Sequence, residues 1–165
     1  MQPNGERGEI VVRSHLVAPG YYKNPGATAE VKAGGWHHTG DIGYLDDDGF
    51  LYIVDRKKQM IITGGFNVYP AEVEAVLLEL TQIRDCAVIG VPDAKWGEAV
   101  KAIVIADTAQ PLSESEIIAH CKERLGGVKS PKTVEFRQDL PRTAVGKVDK
   151  KVLRKPYWEG YERTI

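Results

Sequence analysis

Between the apolar runs Leu51 to Val54 and Met60 to Ile62 stand Arg56, Lys57 and Lys58, consecutive cations for which a single continuous strand has no use. Two arrangements are open to such a break. Either an edge strand turns its cations to water, or the chain passes from one folded body to another, because domain boundaries fall in polar segments that few contacts cross. The second arrangement divides the chain into residues 1–57 and 58–165, with a hinge at 55–58. A length of 165 residues suits one domain or two small ones, and 42% apolar with 27% charged residues marks a chain that folds. The formal net charge is −1 and the basic residues are dispersed, which leaves no footprint for nucleic acid or an anionic membrane. A nucleotide needs only a few placed lysines. No run reaches the ~18 consecutive apolar residues of a membrane span, and Met1-Gln-Pro-Asn-Gly5 lacks the apolar core of a signal peptide. A cytoplasmic location is expected.

The residues before the break read as small and β-rich. Glu9 to Arg13 and Gly20 to Lys23 are expected as strands, each bounded by Gly or Pro. Asn24-Pro25 can open a short helix through Val31, with Gly34-Gly35 ending it. Ile42 to Leu45 and Phe50 to Val54 flank Asp46-Asp-Asp-Gly49, and Asp-Gly suits turns that need positive φ, so a hairpin is expected.

Beyond the break the pattern changes to mixed helix and strand. Pro70 opens a helix with Glu72 and Glu74 near its positive end and Val73, Val76, Leu77 and Leu80 along one face. Strands are expected at 85–91 and 100–106, separated by the loop Pro92 to Glu98. Ser113-x-x-Glu116 is a capping box, Leu112 and Ile117 form a hydrophobic staple, and Gly126-Gly127 is expected to stop that helix. A strand at Thr133 to Arg137 and a last short helix capped by Asp149 complete the order. The fold class is therefore α+β: a β-rich remnant followed by a compact α+β domain, a small sheet with packed helices.

Several residues invite chemistry that their surroundings do not support. A calcium loop starting at Asp46 would need a bidentate Glu where Lys57 stands, so the aspartates read as a solvated turn. His37 and His38 point to opposite faces of a strand and cannot readily share one ion. Cys86 and Cys121 sit in apolar surroundings without a partner motif and read as buried thiols. No metal site is expected. Lys147, beside Gly146 in a loop, is by residue type alone a solubilising charge.

Five segments together give that lysine another meaning. Gly20-Tyr-Tyr-Lys-Asn-Pro25, Gly35-Trp-His-His-Thr-Gly-Asp41, Tyr52-Ile-Val-Asp-Arg-Lys-Lys58, Gly64-Gly-Phe-Asn-Val-Tyr-Pro-Ala-Glu-Val-Glu74 and Pro141-Arg-Thr-Ala-Val-Gly-Lys147 resemble, in order, successive motifs of the adenylate-forming (AMP-binding) enzymes. That superfamily includes acyl-CoA synthetases, luciferases and the adenylation domains of peptide synthetases. Its Ser/Thr/Gly-rich phosphate loop and its adenine and magnesium motif lie upstream of anything in this sequence. The resemblance is thus to the C-terminal portion: the end of a large N-terminal adenylation domain, then the whole mobile C-terminal domain.

The resemblance implies roles. Asp41 matches the aspartate that holds the ribose hydroxyls of ATP or AMP, and Arg56 an arginine near ribose and phosphate. Lys147 matches the catalytic lysine of adenylation, whose cation bridges the acyl carboxylate and the phosphate. Lys58 matches the hinge about which the C-terminal domain rotates between half-reactions, and Gly64 and Gly65 the surface facing the pantetheine arm of CoA. The expected function is that part of an ATP-dependent, AMP-forming acyl-CoA synthetase of the fatty-acid type, acting on a carboxylic acid, ATP and CoA. Magnesium is expected in the intact enzyme with no ligand from this chain, and the partner required is the missing N-terminal domain; alone, the chain is expected to be inactive. Two alternatives stay open, an adenylation-domain fragment that loads a carrier protein and a non-catalytic module that binds CoA or a carrier. The ending Pro156 to Ile165, with no carrier domain after it, favours a free-standing ligase.

Overall fold

The computed structural model describes residues 2–107 and 109–161, so the final residues of the expected second domain, 162–165, lie outside the described residues. The chain forms two compact units, residues 1–58 and 59–165.

The first unit is built on a three-stranded antiparallel sheet in the order β1-β2-β3: β1 is Gly8–Val12, β2 His37–Leu45 and β3 Leu51–Arg56. Helix α1, Pro25–Val31, lies between β1 and β2 in the chain, its Asn24 cap accepting from the Ala27 amide at 3.0 Å. The Asp46 turn joining β2 to β3 explains why aspartate stands there: Asp46 Oδ1 accepts from the amides of Asp48 at 3.1 Å and Phe50 at 2.8 Å. Its oxygen holds the turn. Gly20 to Lys23, expected as a strand, forms turns instead, because Asn24 N–H donates to Tyr21 O at 3.2 Å and the Tyr21 amide bonds the Thr28 hydroxyl at 2.9 Å. Those local bonds replace a ladder.

The second unit starts with β4, Ile61–Thr63, and β5, Phe66–Val68, an antiparallel hairpin whose first strand falls on the apolar run Met60 to Ile62 and whose second has no counterpart among the expected strands. Helix α2 is Pro70–Leu77. Strands β6, Ile83–Asp93, and β7, Gly97–Ala106, pair antiparallel almost to their tips, so the expected loop at 92–98 shrinks to a tight turn. Helix α3, Glu114–Lys129, carries the expected capping box, with the Ser113 amide donating to Glu116 Oε2 at 2.8 Å and the Glu116 amide to Ser113 Oγ at 3.3 Å. That helix kinks at Gly126, where φ is 77°, but resumes to Lys129 rather than stopping. It then crosses over to β8, Thr133–Phe136, which pairs parallel with β7 as a crossover helix permits. Helix α4 is Lys150–Arg154, capped by Asp149.

Alternation along the central hairpin decides where the remaining elements go. Cys86, Val88, Val100, Ala102 and Val104 join α2 and α3 in one core through Val73, Val76, Leu77, Ile117 and Cys121. Ala87, Ile89 and Ile103 point the other way and pack with Leu140 and Leu153, flanked by Val148 and Tyr157. The sheet is therefore covered on both faces, and its two longest strands, β6 and β7, read as continuous apolar runs for that reason.

Burial in the first core pushes the Cys86 thiol up to about 12, helped by the Glu74 and Asp85 carboxylates, and the Cys121 thiol up to about 11. Both are free and buried. In the unfolded chain thiols lose their protons near pH 8.5, so the folded state's advantage is complete below that pH and is lost as pH rises through 11 to 12. Urea unfolding between pH 8 and 11 should show stability falling with pH, and the Cys86→Ala, Cys121→Ala double variant should show a shallower fall. Equal slopes would assign the alkaline loss to other groups.

Candidate functional site

Asp41 and Arg56 are directly cross-strand partners on β2 and β3, and Arg56 Nε lies 2.7 Å from Asp41 Oδ1. The Thr39 hydroxyl donates to Ile10 O at 2.9 Å and accepts the Asp41 amide at 3.0 Å, so the Thr-Gly-Asp segment is tied to β1 and presents its carboxylate at a fixed point. The Arg56 side chain is 64% exposed and that of Asp41 25%, an arrangement in which a carboxylate and a guanidinium both remain accessible to a polar ligand.

Beside this pair is a cluster that the sequence did not disclose. Glu9 Oε2 receives Lys57 Nζ at 2.9 Å and His38 Nδ1 at 3.0 Å, drawing residues from β1, β2 and the turn after β3 together. Burial alone would raise the Glu9 carboxyl, but the hydrogen bonds and charges of Lys57 and His38 bring it below its usual range. His38 is thus occupied by a carboxylate, and the buried Nδ1 of His37 has no hydrogen-bond partner among the described residues. The only signal in the sequence was the β1–β2 register, which single-strand patterns do not reveal. Lys58 sits in the 3-10 turn Lys57–Gln59, with Nζ 3.7 Å from Glu30 Oε1 and both side chains mostly exposed.

Gly64 and Gly65 form the β4–β5 turn with φ of 57° and 83°, values that L side chains rarely adopt. Their surroundings differ. A Cβ on Gly64 would fall 2.6 Å from the Trp96 ring, whereas one on Gly65 would meet nothing within 4 Å. The Gly64 amide also donates to Trp96 O at 2.9 Å, and Asp93 Oδ1 holds the Trp96 amide at 2.8 Å. Of the two glycines expected to leave room for a ligand, Gly64 has that room filled by an indole, and only Gly65 is open.

Lys147 lies in the exposed turn of a small hairpin closed by an Arg142↔Val148 bridge. The Thr143 amide donates to Lys147 O at 2.7 Å and the Gly146 amide to Thr143 O at 2.9 Å, while Gly146 takes φ 82°. No side chain among the described residues pairs with the Lys147 ammonium. Asp41, Arg56 and Lys58 thus belong to the first unit, and Gly64, Gly65 and Lys147 to the second. Among the described residues no group of three or more His, Cys, Asp or Glu is arranged to hold a metal ion, and no helix is long and apolar enough to cross a membrane.

Comparison with known proteins places these residues in context. The AMP-binding enzyme C-terminal domain family matches residues 72–147. The chain is 47% identical over 157 residues to the long-chain-fatty-acid–CoA ligase FadD13 of Mycobacterium tuberculosis, covering 95% of this chain and 31% of that protein. It is 48% identical over 155 residues to a feruloyl-CoA synthase of an Amycolatopsis species, covering 94% of this chain and 32% of that one. Among solved structures, ATP-bound MatB from Rhodopseudomonas palustris aligns with a TM-score of 0.87 and 39% identity over 98% of this chain and 32% of its own. The chain spans about a third of the length of the curated relatives it matches.

The two glycines should respond unequally to a methyl group. Both Gly64→Ala and Gly65→Ala carry the left-handed backbone cost of roughly 1–2 kcal/mol, but Gly64→Ala must also displace the Trp96 ring. Urea unfolding should therefore show the larger loss for Gly64→Ala, with the Trp96 indole signal shifted in that variant alone. A larger loss for Gly65→Ala would contradict the packing described.

Proposed function

We propose, for a chain that belongs to the adenylate-forming (AMP-binding) enzyme superfamily, that it is the C-terminal portion of an AMP-forming acyl-CoA synthetase acting on a carboxylic acid of the fatty-acid type. The observation that carries this reading is the likeness to acyl-CoA ligases along 95% of the chain at 47% identity. In the first half-reaction the acid's carboxylate attacks the α-phosphate of ATP and expels pyrophosphate; in the second the CoA thiol attacks the acyl carbonyl and AMP leaves.

Each residue's chemistry suits one part of this sequence. Asp41 is a two-oxygen acceptor matched to the paired hydroxyls of a ribose, and Arg56 a fixed donor fork for the ribose and phosphate side. Lys147 brings a compact positive charge to the carboxylate and phosphate oxygens as their charge redistributes in the transition state. The exposure of its ammonium and its lack of a side-chain partner among the described residues support that role, since no ion pair with them need break first.

The thiol step needs that lysine withdrawn. A rotation of residues 58–165 about Lys58, at a hinge covering 55–58, would accomplish it and present Gly65 to the pantetheine arm. Lys58 suits a pivot rather than a base: its pairing with Glu30 at 3.7 Å is long and mostly exposed, of the kind worth little. Magnesium belongs in this reading to the upstream domain, as do the phosphate loop and the acyl pocket. The upstream domain is accordingly the required partner, and the cytoplasm the expected location.

In the protein carrying its upstream domain, Lys147→Ala should lower the rate of adenylate formation by about a hundredfold to a thousandfold, the scale of losing one electrostatic donor. Reaction of supplied acyl-adenylate with CoA should change far less. Equal loss in both half-reactions would remove Lys147 from its role. Lys58→Pro, which fixes φ near −65°, should instead depress the thiol step more than adenylation, and an unchanged ratio of the two rates would remove Lys58 as pivot.

A further inference from the structure

The backbone bonds within residues 141–149 close the hairpin on itself, including Asp149 N–H to Pro141 O at 2.7 Å, but they do not fix its turn relative to the sheet. One side chain does. Arg142 Nη1 donates to Gly146 O at 2.8 Å, the peptide that leads into Lys147, while Nη2 donates to Asp85 Oδ2 on β6. Asp85 is itself held, since its other oxygen accepts the Cys86 amide at 2.8 Å.

We infer that Arg142 is a positioning residue for Lys147: its guanidinium ties the peptide bond preceding the lysine to a carboxylate anchored on the central sheet. The inference rests on the role given to Lys147 above. Arginine fits the task because its planar fork reaches two acceptors at once, which a lysine's single ammonium on a flexible stem does less well. The Arg142 and Asp85 side chains are 49% and 29% exposed, so the pair contributes little to global stability. Its effect is local. It removes freedom from a turn that carries a reactive charge, and displacements of about 1 Å at such a point cost on the order of a hundredfold in rate.

The test has two readouts. In this chain, Arg142→Gln and Asp85→Asn should speed amide hydrogen exchange at Thr143 and Gly146 by roughly tenfold or more, the scale of one charge-assisted hydrogen bond, with the amides of Val88 and Val104 unchanged. Arg142→Lys should protect the turn less well than arginine. In the protein with its upstream domain, Arg142→Gln should slow adenylate formation by about tenfold to a hundredfold with the KM for ATP little changed, and should spare the thiol step.

Unchanged exchange at Thr143 and Gly146 would overturn the inference. So would acceleration of Val88 and Val104 in parallel, which marks a general structural role, or full-rate adenylation by Arg142→Gln where Lys147→Ala abolishes it. If Lys147→Ala itself leaves adenylation intact, the error lies in the role assigned to Lys147, and the exchange data alone decide whether Arg142 holds the turn.

Discussion

The β6–β7 hairpin is apolar on both faces, and the rest of the second unit follows from that. Side chains alternate along a strand, so a sheet with two apolar faces must be covered twice. Helices α2 and α3 cover one face through residues spaced for a single helical stripe. The other is left to the segment after β8, which supplies Leu140 and Val148 from either side of the Lys147 turn, Leu153 from α4 and Tyr157 from the 3-10 turn behind it. Leu140 stands immediately before the Lys147 hairpin and Val148 immediately after the lysine. The apolar roots of the hairpin are thereby drawn onto the sheet, and the residues between them, Val145 as well as Lys147, are left exposed. The exposure of Lys147 is in this sense a consequence of core formation rather than an exception to it.

What could be read from the sequence was what depends on neighbours in the chain. The Ser113 capping box, the Pro70 helix, the Asp46 turn and the Asp149 cap all rest on residues within one turn of each other, and each forms as expected. The misreadings have the opposite character. Gly20 to Lys23 has β-forming tyrosines but no neighbouring strand, and local bonds to Asn24 and Thr28 prevail. Strand β5 is hidden because three residues are too few to show a period. Gly126 breaks helical geometry without ending α3, since the chain beyond it resumes the helix. At the candidate site, Asp41 and Arg56 were singled out from motif resemblance, whereas their contact needed the β2–β3 register. Glu9 and His38 are separated by 29 residues and Arg142 and Asp85 by 57, and no local pattern links such residues.

Burial separates the ion pairs that hold the fold from those a ligand could exchange. Strand β6 lies at the edge of its sheet and would otherwise offer unpaired amides and carbonyls along its outer side. Glu74 of α2 accepts the Val88 amide at 2.7 Å, and the Trp158 indole donates to Gly90 O at 3.0 Å. Glu74 also pairs with Lys150 of α4 at 2.6 Å, the two side chains being only 19% and 13% exposed. Since α2 and α4 pack against opposite faces, this pair straps the edge strand between them. Removing either partner would strand a charge with little access to water, which is costly. The Asp41–Arg56 pair has the reverse property: its guanidinium is mostly in solvent, so water replaces the contact at small cost. A ligand that supplies donors to Asp41 and an anion to Arg56 can therefore substitute for the pair without unfolding anything. Pairs of the first kind fix where the elements lie, and a pair of the second kind keeps two charges ready at a fixed point.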